Sequence, residues 1–492
     1  MIKKLAFVVA ALLVGVLIFR FNAKEAQHVP AAHLKKLEVG DSGRFLVTED
    51  GKPFFWLGDT GWQLFSKLNR EEVVTYLQDR KDKGFNVIQA HVLDWDVRQP
   101  NAYGHSAFVG GDINQPNEPY WQHADFIIEE ALEMELYVAL LPAWGKSHID
   151  YKEESPGSLA LSSAEGYRYG QFIGDRFKDY SNIIWVLGGD VRPSKHAVYD
   201  SLAYGITEGY AEGDLDNVLM SYHPPGGTYR PPATSTGEFY HEKPWLDFNM
   251  IQSGHRVGNK NYERIYEDYQ RTPIKPTIDA EPCYEQHPVE HKFEKGVFTA
   301  WHLRRRAYWS VLAGGFGFTY GGNGIWQMDK PGNIQKESHH NYHWFDALHF
   351  EGASDMTHLR ALFESRPFIS PERVPGQRII ITDQGTVDDR LQAARASNFS
   401  YCMVYTSNGR SFEVDLSQLP DEINCWWYNP RDGRVYDGEY QPSDQPFEVL
   451  SDQKTFEFDP PGKASPENDW VLVLDDVSRN YPHPGAATTS RP

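Results

Sequence analysis

The acids and histidines that could do chemistry in this chain stand at the ends of apolar runs. Ile183-Ile184-Trp185-Val186-Leu187 is an unbroken hydrophobic stretch that stops at Gly188-Gly189-Asp190. A strand covered on both faces reads this way because neither side of it meets water. Its end emerges where a parallel barrel does its chemistry, which makes Asp190 a catalytic candidate. A second run, Pro276 to Ala280, holds Asp279 and delivers Glu281 just beyond it. Other strand ends carry Asp59, His91, Trp144, His223, His255 and Trp326, which are candidate substrate contacts. Two carboxyls across a pocket rimmed by His and Trp suit hydrolysis of a glycosidic bond: one protonates the leaving oxygen, and the other attacks the sugar or activates water. Asp190 and Glu281 form the selected pair. Asp279 is the rival of Glu281, because a period of two puts both on one face unless the strand ends between them.

Two other readings compete with this one. Metal-dependent hydrolysis needs clustered His and carboxylate ligands. The first strand instead ends in Gly58-Asp59-Thr60, Pro288 interrupts the pair His287 and His291, and His339-His340 falls in a loop. The pattern therefore points to no metal and to no other cofactor. The other is a glycan-binding protein without catalysis, in which Asp190 and Glu281 would be replaceable.

The elements that must position these residues alternate. Strand-like runs at 54–59, 86–91, 136–142, 183–187, 218–222, 248–252, 276–280 and 316–320 are separated by helical patterns or long loops. The helical patterns lie at 69–83, 120–134, 163–180, 194–212, 258–271 and 298–313. Such alternation implies a parallel sheet, and eight units in about 310 residues imply a (β/α)8 TIM barrel, here spanning 35–368. Asn69 is the expected N-cap of the first helix, with Glu71 and Glu72 in its first turn. From about residue 369 the texture changes to short strands, at 378–382, 399–405, 422–428, 455–458 and 470–474, separated by Gly, Pro, Asn and Asp turns. This spacing predicts a small antiparallel β-sandwich over 369–477. The Pro-, Gly-, Thr- and Ser-rich tail, 478–492, is expected to be disordered.

Composition narrows the partners. The 492 residues carry a formal net charge of -20, which disfavours nucleic acid, whose binding rests on Lys and Arg neutralising phosphates. An anionic ligand would need local cations against this field; Arg98, Arg192, Arg230 and Arg256 lie in strand-following loops. Three cysteines, Cys283, Cys402 and Cys425, make no disulfide framework. Lys3 and Lys4 followed by an apolar segment from Leu5 to Phe19 read as an export signal or a membrane anchor over residues 1–21. The protein is thus expected to be periplasmic, extracellular or membrane-anchored.

Several of these motifs resemble one family as a set. Trp56-Leu57-Gly58-Asp59-Thr60-Gly61-Trp62, Gly84-Phe85-Asn86-Val87-Ile88-Gln89, Trp185-Val186-Leu187-Gly188-Gly189-Asp190, Tyr222-His223-Pro224 and Asp279-Ala280-Glu281-Pro282-Cys283-Tyr284-Glu285 look like the apiosidase-like glycoside hydrolases. The resemblance covers about residues 35–365, and the segment from about 370 to 476 resembles the collagen-binding-like β domain that follows this barrel in many relatives. It implies a secreted retaining enzyme acting on a plant or algal polysaccharide, with the apiose–galacturonic acid linkage of pectin as the family substrate. It also implies Asp190 as acid/base and Glu281 as nucleophile. The wider clan of such barrels has Asn-Glu where this chain has Gly189-Asp190.

Overall fold

Eight parallel strands surround the candidate residues in this computed structural model, which describes residues 34–151, 157–226, 234–333 and 341–486. The export segment, Arg230, and His339 with His340 fall outside the described residues. The strands are β1 (Trp56–Thr60), β2 (Val87–His91), β3 (Tyr137–Leu141), β4 (Ile183–Gly188), β5 (Met220–His223), β6 (Asn249–Gln252), β7 (Thr277–Asp279) and β8 (Gly317–Tyr320). They pair in the order β5-β4-β3-β2-β1-β8-β7-β6, so that β1 lies between β2 and β8. The eight strands expected from the alternation are present and each of the six expected helical patterns holds a helix, joined by a further long helix at Glu351–Glu364; the fold is a TIM-like barrel.

Side chains close the seam that backbone pairing leaves between β5 and β6. Asp247 donates its N–H to the Met220 carbonyl at 2.9 Å and accepts the Met220 N–H at 2.7 Å on its carboxylate. The Ser221 hydroxyl donates to the Phe248 carbonyl at 2.6 Å. The Thr236 hydroxyl lies between the carbonyls of Tyr222 and Met250. Polar backbone groups that two unpaired strands would leave buried are thereby satisfied.

Alternation along the strands decides what faces inward. On β1, Trp56 fills the barrel floor, its ring against Phe248 and Phe316 and its N–H donating to Thr319 at 3.0 Å. Leu57 and Asp59 then face the helices. The first long helix, α1 (Arg70–Asp82), starts as expected: Asn69 accepts the Glu72 N–H at 2.9 Å while Glu72 accepts the Asn69 N–H at 2.8 Å, a reciprocal capping box. It buries Val73, Tyr76, Leu77 and Arg80, the spacing of one helical face; the long helices α2 (Glu118–Glu133), α3 (Ser163–Phe177), α4 (His196–Ala211) and α5 (Asn261–Tyr269) follow it. Among the described residues no helix is long and apolar enough to cross a membrane.

The C-terminal strands are antiparallel. A larger sheet runs through Arg373–Pro375, Leu391–Ala396, Tyr401–Thr406, Trp470–Asp476, Glu422–Asn429 and Arg434–Tyr436, with Glu448–Ser451 also paired to Glu422–Asn429. The pair Phe412–Asp415 and Thr455–Phe458 shares a core with it, through Phe412, Val414, Trp427, Phe458 and Trp470. The run 378–382 is not a strand: Gln377–Ile379 is a single 3-10 turn, and only Ile380 bridges to Val414. Gln377 explains the difference, since its amide binds the Leu391 carbonyl and the Ala393 N–H, pulling the chain into a turn. Cys402 and Cys425 both face Leu474, from opposite sides of the strand Trp470–Asp476. Two strand spacings separate them, beyond the reach of a disulfide, and all three thiols are free and buried.

The start of the tail is a further departure from expectation. Asp476 caps a turn over Val477–Arg479, Tyr481 donates to the Ser400 hydroxyl at 3.3 Å, and Gly485 donates to Ser365 at 3.3 Å. Residues 478–486 are therefore anchored on the folded body, because aromatic and backbone contacts offset their turn-forming composition.

Candidate active site

Glu281 stands at the centre of the barrel mouth because β7 ends early. Strict alternation would send it outward with Asp279, but the strand stops at Asp279 and the chain turns. Gly254 donates to the Glu281 carbonyl at 3.0 Å and fixes that turn. Asp279 keeps the outward direction: it is fully buried, accepts from Asn261 at 2.9 Å and from the Ser253 N–H at 3.4 Å, and burial pushes its carboxyl up to about 6. The rivalry between the two acids is settled by that break in period.

The Glu281 carboxylate is enclosed by polar partners. His223, inward-facing at the end of β5, places Nε2 3.0 Å from one oxygen; His255, in the loop after β6, stands 3.9 Å from the other. The Tyr284 hydroxyl acts on the Glu281 carboxylate, and the Trp62 indole N–H donates to the Tyr284 oxygen at 3.0 Å. Burial pushes the Glu281 carboxyl above its ordinary range and the negative charge of Asp190 adds to this, while the neighbouring His223 and Tyr284 act the other way. The two acids thus feel each other across the mouth.

Asp190 is more open, with 31% of its side chain exposed. Gln252, the last residue of β6, donates to it at 2.9 Å, and Lys146 lies 3.8 Å away. Its backbone is left-handed, at φ 54°, as are Gly188 at 86° and Gly189 at 116°. Glycine is required at the first two positions for reasons of space as well as angle. A Cβ on Gly188 would meet the His223 carbonyl at 2.4 Å, and one on Gly189 would meet the Trp144 ring at 2.7 Å. The space that a side chain at residue 189 would need is filled by the Trp144 indole.

Aromatic rings wall the rest of the mouth. Trp144 packs against Trp62, His91, Trp95 and His223 with centroids 5.0 to 6.5 Å apart. Trp326 closes the opposite side against Trp95 and Tyr284, both at 6.2 Å. His91 is buried under Trp62 and Trp144, which pushes its imidazole down to about 4; Nδ1 donates to the Leu93 carbonyl at 2.6 Å, and the ring is neutral. His255 stacks on His287 at 4.1 Å.

The structure therefore brings together Asp190, Glu281, His91, Trp144, His223, His255 and Trp326, and leaves Asp59 out. Asp59 is wholly buried on the outer face of β1, where it accepts from Tyr76 at 2.6 Å and faces Arg80 at 3.5 Å. It is a joint between strand and helix, out of reach of a ligand in the mouth, because one residue of alternation separates the two sides of a strand. Trp62, Trp95, Gln252 and Tyr284 join the site without having been selected. A signal existed for Gln252, the polar end of an apolar strand. The loop cations are engaged elsewhere: Arg98 with Asp96, Arg192 with Glu238 and Arg256 with Glu290. Among the described residues no group of three or more His, Cys, Asp or Glu side chains is arranged to hold a metal ion.

Comparison with known proteins matches this geometry to a family. The family described as "Apiosidase-like, catalytic domain" matches residues 40–370, and a family described for the collagen-binding-like domain of a collagenase matches 374–475. Among curated proteins, none matches the chain. A solved structure described as a glycoside hydrolase is 36% identical, with a TM-score of 0.80 over 91% of this chain and 98% of its own. A glycoside hydrolase family 5 structure from Bacteroides vulgatus ATCC 8482 is also 36% identical, with a TM-score of 0.79 over 91% of this chain and 94% of its own. The barrel strands, the acids at the ends of β4 and β7, and a family match spanning the whole barrel agree: this chain belongs to the apiosidase-like family and is a glycoside hydrolase.

Proposed function

We propose that the enzyme cleaves its glycosidic bond with retention, with Glu281 as nucleophile and Asp190 as acid/base. The observation that carries this is the joint placement of the two acids at one barrel mouth: Gly189, next to Asp190, donates its N–H to the His223 carbonyl at 3.0 Å, and His223 Nε2 lies 3.0 Å from the Glu281 carboxylate. In the first step Glu281 attacks the anomeric carbon, the bond to the leaving oxygen breaks, and Asp190 passes its proton to that oxygen. In the second, water attacks the same carbon, Asp190 takes the water proton, and Glu281 departs as carboxylate. His223 and Tyr284 favour the ionised form of the nucleophile against burial and restrict its orientation. Trp144 and Trp326 offer indole faces to a sugar ring, and His91 and His255 line the same mouth.

The substrate proposed is an apiosyl linkage, on the support of the family description, and within that class the apiose–galacturonic acid linkage of pectin that the sequence resemblance implies. Export by residues 1–21 suits a polymer met outside the cell. Digestion of apiose-bearing galacturonan followed by proton NMR tests both parts at once. Release of apiose whose first-formed anomer keeps the substrate configuration is expected; the opposite anomer would overturn retention, and no release would overturn the substrate.

A further inference from the structure

Three consecutive arginines on one buried helix connect the β domain to the active site. The helix α6 (Ala300–Leu312) carries Arg304, Arg305 and Arg306, each at most 2% exposed. Successive helical residues point about 100° apart, so the three guanidinium groups reach different partners. Arg304 grips Asp469 of the β domain through two hydrogen bonds of 3.0 Å and reaches Asp355 at 2.7 Å. Arg305, between the rings of Trp301 and Trp309, donates to Asp388 at 2.8 Å and to the Val387 carbonyl at 3.0 Å. Trp301 donates to the Ser407 carbonyl at 2.8 Å, and Tyr308 stacks on Tyr405 at 4.8 Å. These contacts clamp α6 to the β domain.

Arg306 points the other way, into the back of the active site. Its guanidinium donates to the carbonyls of Arg256 and Val257 at 2.5 and 3.1 Å, and lies against the Cys283 thiol. Asn261 ties its backbone carbonyl to Asp279, with both bonds at 2.9 Å. The loop it holds begins with Gly254, which donates to the Glu281 carbonyl, and His255, which faces the Glu281 carboxylate. Cys283 is two residues past Glu281 on the turn that aims it. A buried guanidinium is costly unless its donors are used, and Arg306 spends Nη2 on the carbonyls of the loop that fixes Glu281.

We infer that Arg306 is a positioning residue for Glu281, and that the β domain serves catalysis through it by holding α6 in place. The inference rests on Glu281 acting in the reaction as proposed above. It gives the β domain a role in the barrel's own chemistry, separate from any ligand the domain itself takes.

The test uses the full chain with Arg306→Met and Arg306→Lys, and apiose-bearing galacturonan as probe. In Arg306→Met, kcat falls at least tenfold with KM within twofold, and Arg306→Lys, which keeps the charge and one donor set, recovers at least a third of the loss. Hydrogen exchange read by mass spectrometry gives a result independent of turnover: amides of 254–260 exchange at least tenfold faster in Arg306→Met, while those of α6 and the β domain keep their rates. Unchanged kcat with unchanged loop exchange would overturn the inference, as would exchange that rises uniformly through α6. If Arg306→Met does not fold, Arg306→Lys decides by the same two readings at smaller amplitude. If the wild type does not turn over the probe, the proposed substrate fails alone, and the exchange result still decides the role of Arg306.

Discussion

His223 Nε2 lies 3.0 Å from Glu281 Oε2, and both side chains are almost wholly enclosed. The contact favours the carboxylate, against burial and the charge of Asp190, which favour the acid. A nucleophile must be ionised, so this balance sets the lower pH limit of activity.

His223→Ala removes that contact and leaves the opposing influences in place, so the Glu281 carboxyl moves further up. Activity is lost as pH falls through that value, and the acid limb of kcat/KM therefore shifts to higher pH. A hydrogen bond to a charged group is worth roughly 1.5–3 kcal/mol, which corresponds to a move of about one to two pH units. A pH–rate profile that superimposes on the wild type would show that His223 does not govern Glu281.

Replacing Asp190 separates proton transfer from nucleophilic attack. General acid catalysis contributes about 10²- to 10⁴-fold, so Asp190→Ala should lose that much on a natural sugar leaving group. With an aryl leaving group that departs without a proton, formation of the glycosyl-enzyme should be nearly unaffected. Equal losses on both substrates, with circular dichroism unchanged, would remove Asp190 from the acid role.

Gly189→Ala tests the fit between the β4 end and Trp144. The new Cβ would sit 2.7 Å from the indole at a backbone φ of 116°. Such strain costs of order 1–3 kcal/mol and displaces either Trp144 or Asp190. A lowered urea midpoint together with a lower kcat is expected; wild-type values of both would mean that the contact is loose.

Asp279 gives the enzyme a pH-dependent weakness. Burial raises its carboxyl from 3.8 to about 6, so the folded state binds the proton more tightly than the unfolded one. Its favourable contribution is full below 3.8 and declines as pH rises through 6. At about 1.4 kcal/mol per pH unit the change is at most about 3 kcal/mol. Asp279→Asn should therefore gain stability over the wild type between pH 4 and pH 7, read as a growing difference in urea midpoint. A difference that is constant with pH would contradict the raised value.

The sequence alone was enough to determine the strand count and the strands that deliver the two acids. Eight apolar runs flanked by helical periods leave few topologies, and a run such as Ile183–Leu187 ending in Gly188-Gly189-Asp190 exposes its acid only at a strand end. What it left open depended on where periods break and on which face of a strand is inside. Asp59 is the last residue but one of β1 and His91 the last of β2; alternation sends the first to Arg80 and the second to Trp62 and Trp144, a difference of one residue in register. Asp279 and Glu281 share a period that the early end of β7 cancels, because backbone contacts from Gly254 turn the chain there. The roles of Trp62, Gln252, Tyr284 and Arg306 come from segments distant along the chain. Only the tertiary structure decided them, since a hydrogen bond between residues 50 to 222 positions apart leaves no local pattern in either segment.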